Sequence, residues 1–120
     1  MSVTTHARVL GVAPSFTVPN VEQAVDFYCN SLGFQSDSAD EWFGLVSRDG
    51  VSVMLWQGAA TPNGSCDAFF WVDAVDALHS DLQQKNVTVT RPPETMEYGV
   101  REMSITDSNG YVITFGQRLQ

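Results

Sequence analysis

The chain has 120 residues, with six basic and fourteen acidic side chains and a formal net charge of −8. This length fits a single domain with its own core, and the acidic balance argues against a nucleic-acid partner, because phosphates require a basic surface. The charge would attract a cationic small molecule, although an acidic surface that only keeps the protein in solution is the simpler explanation. No apolar run reaches the roughly 20 residues of a membrane span, and no signal-peptide pattern is present. We therefore expect a cytoplasmic protein with no membrane partner.

The first half of the chain predicts a strand, a helix and three further strands. Leu10–Val18 has strand character, and Pro14, which lacks an N–H donor, places this strand at an edge or a bulge. Asn20 is a favourable N-cap for a helix with apolar residues at helical spacing, and Gly33 ends that helix. Arg48–Gly50 is a hairpin turn signal. The three strands are expected at about 34–38, 42–48 and 51–57.

A Gly- and Pro-containing linker at 58–66 separates this half from a second one with the same order of elements. Asp73 is expected to cap the second helix, which ends near Lys85, and Pro92 and Pro93 are expected to break the strand that follows it. The strands of this half are expected at 67–72, 87–90, 100–106 and 111–117. The single domain would thus hold one module at about 10–57 and another at about 67–117.

The two halves also resemble each other in sequence. The first contains Phe16-Thr-Val18-Pro-Asn20-Val21-Glu-Gln-Ala24, and its apolar residues recur 54 positions later in Phe70-Trp-Val72-Asp-Ala74-Val75-Asp-Ala-Leu78. A repeat of this size indicates a duplicated βαβββ unit. Two such units facing each other form a cleft, and the side chains of that cleft decide the function.

Three motifs make the chain resemble the vicinal oxygen chelate superfamily, which includes glyoxalase I, extradiol dioxygenases and bleomycin-resistance proteins. They are Val18-Pro-Asn20-Val21-Glu-Gln-Ala24-Val-Asp-Phe27-Tyr28, Leu32-Gly33-Phe34 and Asp107-Ser-Asn109-Gly110-Tyr111-Val-Ile113. Together with the repeat they span about residues 10–117. The resemblance implies an α+β fold in which two paired βαβββ modules form a concave, partly open barrel, usually in a homodimer.

The resemblance also identifies four positions that hold a divalent metal ion in the enzymes of that superfamily. In this chain they are Ala13, Met54, Asp67 and Thr114. Ala13 has no ligand atom, Met54 offers a soft thioether, and Thr114 is a poor ligand, so a single carboxylate remains. We therefore expect neither a metal nor another cofactor, and we lean against an enzyme. The two cysteines have no ligand spacing and are most simply reduced thiols.

Without a metal, the cleft would bind by shape, ring stacking and charge. Alternation along strands places Met54 and Trp56 on one face, and Asp67, Phe69 and Trp71 on another. Such a lining suits a planar apolar ligand, although Phe69 and Trp71 could equally fill a core. Arg101 and Glu102 point to opposite faces, and alternation alone does not tell which of them lines the cleft.

Within the superfamily the chain most resembles the bleomycin-resistance proteins, on Asp40-Glu41-Trp42-Phe43-Gly44 and Tyr98-Gly99-Val100-Arg101-Glu102. The resemblance implies that Trp42 and Tyr98, from different chains of a dimer, sandwich the planar part of a ligand. Its cationic tail would then face three acids, Asp37, Asp40 and Glu41.

The expected function is therefore metal-free sequestration of a planar aromatic or cationic small molecule, such as bleomycin. The first alternative is a glyoxalase-like lyase or a dioxygenase-like enzyme of the same superfamily. The second is an interaction module with a vestigial cleft. The sequence leaves open whether the dimer exchanges strands.

Overall fold

The computed structural model describes residues 6–120, which form two helices and eight strands. The elements are β1 (Ser15–Val18), α1 (Val21–Ser31), β2 (Gln35–Ala39), β3 (Phe43–Arg48), β4 (Val51–Gln57), β5 (Ala68–Trp71), α2 (Val75–Gln84), β6 (Val89–Thr95), β7 (Val100–Thr106) and β8 (Val112–Arg118). Two four-stranded sheets have the orders β1-β4-β3-β2 and β5-β8-β7-β6. In each sheet the first pair is parallel and the other two pairs are antiparallel. The α+β fold with two βαβββ modules is confirmed, and the sheets are not closed into a barrel.

The first helix begins and ends as the sequence predicts. The Asn20 side chain accepts a hydrogen bond from the Gln23 backbone N–H at 3.0 Å, which satisfies one of the free donors of the first turn. Gly33 follows the helix with a φ of 75°, a backbone conformation that favours glycine. On the sheet beneath, Gly44 permits a close approach, because a Cβ there would lie 2.7 Å from a methyl group of Val25. Helix α1 therefore covers one face of the first sheet.

The first strand is shorter than the predicted Leu10–Val18. It begins at Ser15, after Pro14, whose carbonyl accepts from the Met54 backbone N–H at 2.9 Å. Pro14 has no N–H to extend the ladder. Strand β1 lies at the edge of its sheet, as the proline predicts. The segment before it leaves Val9, Leu10 and Val12 almost fully exposed.

The second helix has a different cap from the predicted one. Its N-cap residue is Ala74, which makes no side-chain cap bond, and Asp73 lies outside the helix. The first-turn N–H of Val75 instead donates to Gln117 Oε1 in β8 at 2.9 Å. The prediction of Asp73 as the cap was wrong, because a residue distant in sequence supplies the acceptor.

Strand β6 also differs from the prediction, because it continues through Pro92 and Pro93 to Thr95. Its pairing with β7 shifts register between Arg91 and Glu94, so the two prolines fall in an irregular stretch of the ladder. The strand lies at the edge of the second sheet, where a missing donor is tolerated.

Aromatic packing joins the two modules into one core. Phe16 stacks on Tyr111 with ring centroids 4.6 Å apart, and the Tyr111 hydroxyl donates to the Thr17 carbonyl. Phe34 meets Phe70 edge-on at 6.4 Å. No helix of the described part of the chain is long and apolar enough to span a membrane.

Candidate functional site

Each sheet has one face covered by its helix and one face without a helix; we call the latter the first and second open faces. On the first sheet, Val53 and Leu55 are buried beside α1, so Met54 and Trp56 lie on the first open face. On the second sheet, Met103 and Ile105 are buried on the helix side. The second open face accordingly carries Phe69, Trp71, Glu102, Ser104 and Thr114.

The first open face carries an aromatic pair beside a methionine. Trp56 is the cross-strand neighbour of Phe43 and Thr17, and its ring centroid lies 4.5 Å from that of Phe43. Met54 lies two residues earlier on β4, between Ser15 and Leu45. The strand alternation predicted from the sequence therefore brings Met54 and Trp56 together on one surface.

A second aromatic pair lies on the second open face. Phe69 and Trp71 meet edge-on with ring centroids 4.9 Å apart, and they are 39% and 54% exposed. Gly116 allows this placement, because a Cβ there would lie 2.3 Å from Phe69 Cζ. The Arg118 guanidinium lies 4.2 Å from the Trp71 ring centroid, a cation–π distance. These rings do not fill the core; they form an accessible surface suited to stacking.

Glu102 is the buried charge of the second open face, with 6% of its surface exposed. Its carboxylate accepts from Arg91 at 3.0 Å and from the Tyr98 hydroxyl at 2.6 Å. This bond to the Glu102 carboxylate is the main cause that raises the pKa of the Tyr98 hydroxyl above its ordinary value. Beside it, the hydroxyls of Ser104 and Thr114 are 2.9 Å apart. The second open face thus combines apolar rings with a row of polar side chains held by hydrogen bonds.

The structure resolves the question that strand alternation left open in β7. Glu102 faces the open side, whereas Arg101 faces α2, where its guanidinium donates to both carboxylate oxygens of Asp76, at 2.8 and 3.0 Å. Arg101 is therefore not brought together with the other predicted site residues. Sequence reasoning missed Arg91, because the strand was expected to end at residue 90, whereas β6 continues through Arg91 to Thr95.

The predicted sandwich residues Trp42 and Tyr98 lie on turns of different modules. Trp42, between β2 and β3, is 64% exposed, and Tyr98, between β6 and β7, is 67% exposed. Within residues 6–120 of one chain their rings make no contact. Each turn presents its ring to the surroundings, so both rings are free to contact a ligand or a second chain.

The predicted acids have different surroundings. Asp40 Oδ1 accepts from the backbone N–H groups of Trp42 and Phe43, each at 2.8 Å, so this carboxylate holds the turn that carries Trp42. Asp37 accepts from Gln35 at 2.9 Å on the exposed strand β2, and Glu41 is exposed on the turn. Asp40 therefore positions Trp42, and the other two acids remain accessible.

The four positions that hold a divalent ion in the related enzymes do not offer a set of metal ligands in this chain. The two Asp67 oxygens accept backbone N–H groups from Asn63 and Val112, at 2.8 and 2.9 Å. Thr114 is engaged with Ser104, and Ala13 and Met54 bring no hard donor. Nor do residues 6–120 contain a group of three His, Cys, Asp or Glu side chains that could hold an ion. The donor chemistry does not fit the divalent ion of the related enzymes.

Comparisons with known proteins agree with the fold described above. The family model of the Glyoxalase/Bleomycin resistance protein/Dioxygenase superfamily matches residues 11–115. No curated protein matches the chain significantly. A glyoxalase-related enzyme from Clostridium phytofermentans superimposes with a TM-score of 0.82 at 19% identity, over 97% of this chain and 100% of that one.

Two further solved structures have the same fold. The bleomycin-binding protein of bleomycin-producing Streptomyces verticillus, complexed with copper(II)-bleomycin, matches with a TM-score of 0.77 at 24% identity, over 92% of this chain and 97% of that one. A superfamily member from Sphaerobacter thermophilus DSM 20745 matches with a TM-score of 0.72 at 25% identity, over 91% and 98% of the two chains.

Proposed function

Because the chain belongs to the Glyoxalase/Bleomycin resistance protein/Dioxygenase superfamily, we propose that it is a metal-free protein that binds and sequesters a planar aromatic small molecule. The observation that carries the proposal is the set of accessible rings on and beside the two open faces: Trp42, Trp56, Phe69, Trp71 and Tyr98. Isolated exposed rings are common, but here accessible rings lie in pairs, Trp56 with Phe43 and Phe69 with Trp71, and grouped apolar surface indicates a binding site. Stacked and edge-on rings can hold a planar ligand from both sides.

The binding unit is a homodimer in this proposal. The radius of gyration of one chain is 15.8 Å, whereas a compact chain of this length has about 13–14 Å, so the two modules lie side by side. The sheets share no strand pairing within the described residues. A second chain would place its second open face over the first open face of its partner, and Trp42 and Tyr98 would meet at this boundary. It would also cover the exposed apolar segment at Val9, Leu10 and Val12.

The proposed ligand carries a positive charge as well as a planar body. The chain has a formal net charge of −8, and Asp37 and Glu41 are accessible beside the turn that presents Trp42. Such a field concentrates cations and increases their rate of association. The similarity to a protein crystallised with copper(II)-bleomycin makes bleomycin the first compound to test.

A metal-free enzyme is the alternative that one observation favours, because Tyr98 and Glu102 form a short hydrogen bond on the second open face. A catalytic base needs a pKa near the working pH, and the bond to Glu102 raises the pKa of Tyr98, away from that range. The pair is therefore better suited to fixing the ring of Tyr98 than to transferring protons. Elemental analysis of the purified protein separates both metal-free functions from a metal-dependent lyase or dioxygenase, which requires a stoichiometric ion.

Titration calorimetry tests the proposal, using chelator-treated protein with metal-free bleomycin and a panel of planar cationic compounds. We expect saturable binding, weakened at least about fivefold in Trp42→Ala, because the loss of one stacking ring costs on the order of 1 kcal/mol or more. Asn30→Ala, an exposed residue of α1 that lies outside both open faces, is the control and should bind as the wild type does. The proposed site would be contradicted if no compound of the panel binds, or if Trp42→Ala binds with the same affinity as the wild type.

A further inference from the structure

A cavity of about 500 Å³ lies on the helix side of the molecule, where the two modules meet, and it borders the second open face at Trp71. We call it the junction groove. Its walls come from the β3–β4 turn of the first module and from β5 and α2 of the second. The volume is within the range of small-molecule sites, roughly 300–1,000 Å³. The groove is lined by Phe34, Arg48, Asp49, Val51, Phe70, Trp71, Val72, Asp73, Ala74, Ala77, Leu78, Asp81 and Phe115.

The floor of the groove is aromatic. Phe70 lies between Phe34 and Phe115, with ring centroids 6.4 Å from the first and 5.8 Å from the second. Leu78 of α2 and Val51 of β4 continue the apolar wall, and Val51 is largely exposed. This surface can take an apolar ring or a short aliphatic chain, because no polar group on the floor would need a partner.

The rim carries four charges, three of which already have partners. Arg48 donates to the Leu32 carbonyl at 2.8 Å and lies 3.5 Å from Asp49. Asp81 pairs with Lys85 at 3.2 Å. Asp73 makes no ion pair or side-chain hydrogen bond with any of residues 6–120.

The Asp73 carboxylate has no partner among residues 6–120 because of the way α2 is capped. Its neighbour in the chain, Ala74, is the N-cap residue, and Gln117 of β8 accepts the first-turn N–H that an aspartate cap would otherwise bind. The carboxylate is thus exposed at the mouth of an aromatic groove with no internal partner. A protonated amine complements this charge, whereas an anion would be repelled by it.

We propose that the junction groove is a second small-molecule site, which takes a hydrophobic amine with its apolar body on the phenylalanine floor and its ammonium group at Asp73. The site adjoins the second open face at one residue and lies within a single chain. Trp71 borders both regions, since its ring contacts Phe69 on the second open face and also lines the groove.

Backbone amide NMR with three matched probes tests the charge preference. 1-Naphthylmethylamine, 1-naphthalenemethanol and 1-naphthoate share one ring system and differ in charge. We expect the amine to bind most tightly and the carboxylate most weakly, with shifts centred on Ala74–Leu78 and Val51. Equal affinities for the three probes, shifts confined to the open faces, or no binding of the amine would overturn the proposal.

Three variants locate the probe. Ala77→Phe adds a ring to an exposed position of the groove wall and should abolish the shifts, with helicity and melting temperature confirming an intact fold. Asp73→Asn should weaken the amine about two- to fivefold, the range for an exposed charge contact, and leave the alcohol unchanged. Asp26→Asn, an exposed acid on α1, is the control of equal charge. Equal weakening in both Asn variants, or full binding in Ala77→Phe, would rule out the groove as the site.

Discussion

At the residue scale, the pair Arg101 and Glu102 illustrates what the chain encodes locally. Strand alternation places the two side chains on opposite faces, and the sequence alone predicts this. The buried Met103 and Ile105 share a face with Arg101 and set that face toward α2. The partners of the two charges, Asp76 for Arg101 and Arg91 for Glu102, are distant in sequence and could not be predicted.

Arg91→Met should destabilise the protein by about 1–3 kcal/mol, because it removes the positive partner of the buried Glu102 carboxylate and leaves it the neutral Tyr98 hydroxyl as a donor. Arg101→Met is the matched control, since it removes an arginine whose carboxylate partner Asp76 is exposed to water. Urea denaturation measures both, and the loss should be clearly larger for Arg91→Met. Equal losses would show that Glu102 is stabilised without Arg91.

Two tyrosines with similar burial should respond in opposite ways to loss of the hydroxyl. The Tyr28 hydroxyl is buried and has no hydrogen-bond partner among residues 6–120, so Tyr28→Phe should leave stability unchanged or raise it by up to about 2 kcal/mol. The Tyr111 hydroxyl donates to Thr17 and accepts from Thr61, so Tyr111→Phe should lose about 1–2 kcal/mol. Thermal and chemical denaturation compare them, and a loss in Tyr28→Phe equal to that in Tyr111→Phe would contradict this account.

Asp107 should make stability fall as pH rises. Burial is the main cause that raises the pKa of its carboxyl above the ordinary value, although backbone N–H groups of Tyr111 and Asn109 oppose the shift. An acid with a raised folded-state pKa contributes stability at low pH and loses it as pH rises through that pKa. Asp107→Asn keeps an acceptor oxygen and cannot ionise. Its stability relative to wild type should therefore increase as the pH rises above the ordinary aspartate pKa of about 3.9. Denaturation curves across this pH range measure the difference, and a constant difference would contradict the assignment.

At the scale of elements, the sequence was most reliable where a structure depends on near neighbours. The Asn20 cap and the glycine after α1 were predicted, because both act within a few residues. The cap of α2 and the path of β6 through Pro92 and Pro93 were not, because the first uses Gln117 and the second depends on an edge position.

Gln117→Ala should therefore cost about 0.5–2 kcal/mol, the range for loss of a helix cap, because the Val75 N–H loses its acceptor. Asp73→Ala, at the position that the sequence indicates as the cap, should leave stability nearly unchanged. Hydrogen exchange at the first turn of α2 reports the effect locally, and it should accelerate in Gln117→Ala alone. Faster exchange in Asp73→Ala would show that Asp73 caps α2 and would contradict this account.

At the scale of the whole molecule, the duplication predicted two βαβββ modules, and the resemblance to the superfamily implied how they pair and which four positions hold a metal in related enzymes. Ala13 and Met54 already weakened that function in the sequence, and the structure adds that Asp67 is engaged by two backbone N–H groups. The junction groove was not predictable, since its walls combine a turn of one module with a helix of the other. Because Trp42 and Tyr98 lie on separate modules, we propose that their rings meet only when two chains assemble.

A mixed-dimer titration tests this central claim most directly. Trp42→Ala and Tyr98→Ala chains are unfolded, mixed in equal amounts, refolded together and titrated with a ligand that the wild type binds. If each site takes Trp42 from one chain and Tyr98 from its partner, half of the dimers are mixed and each mixed dimer regains one intact site, so about one quarter of all sites should bind with wild-type affinity. If no wild-type sites appear in the mixture, the two residues do not meet across a subunit boundary and the account is wrong.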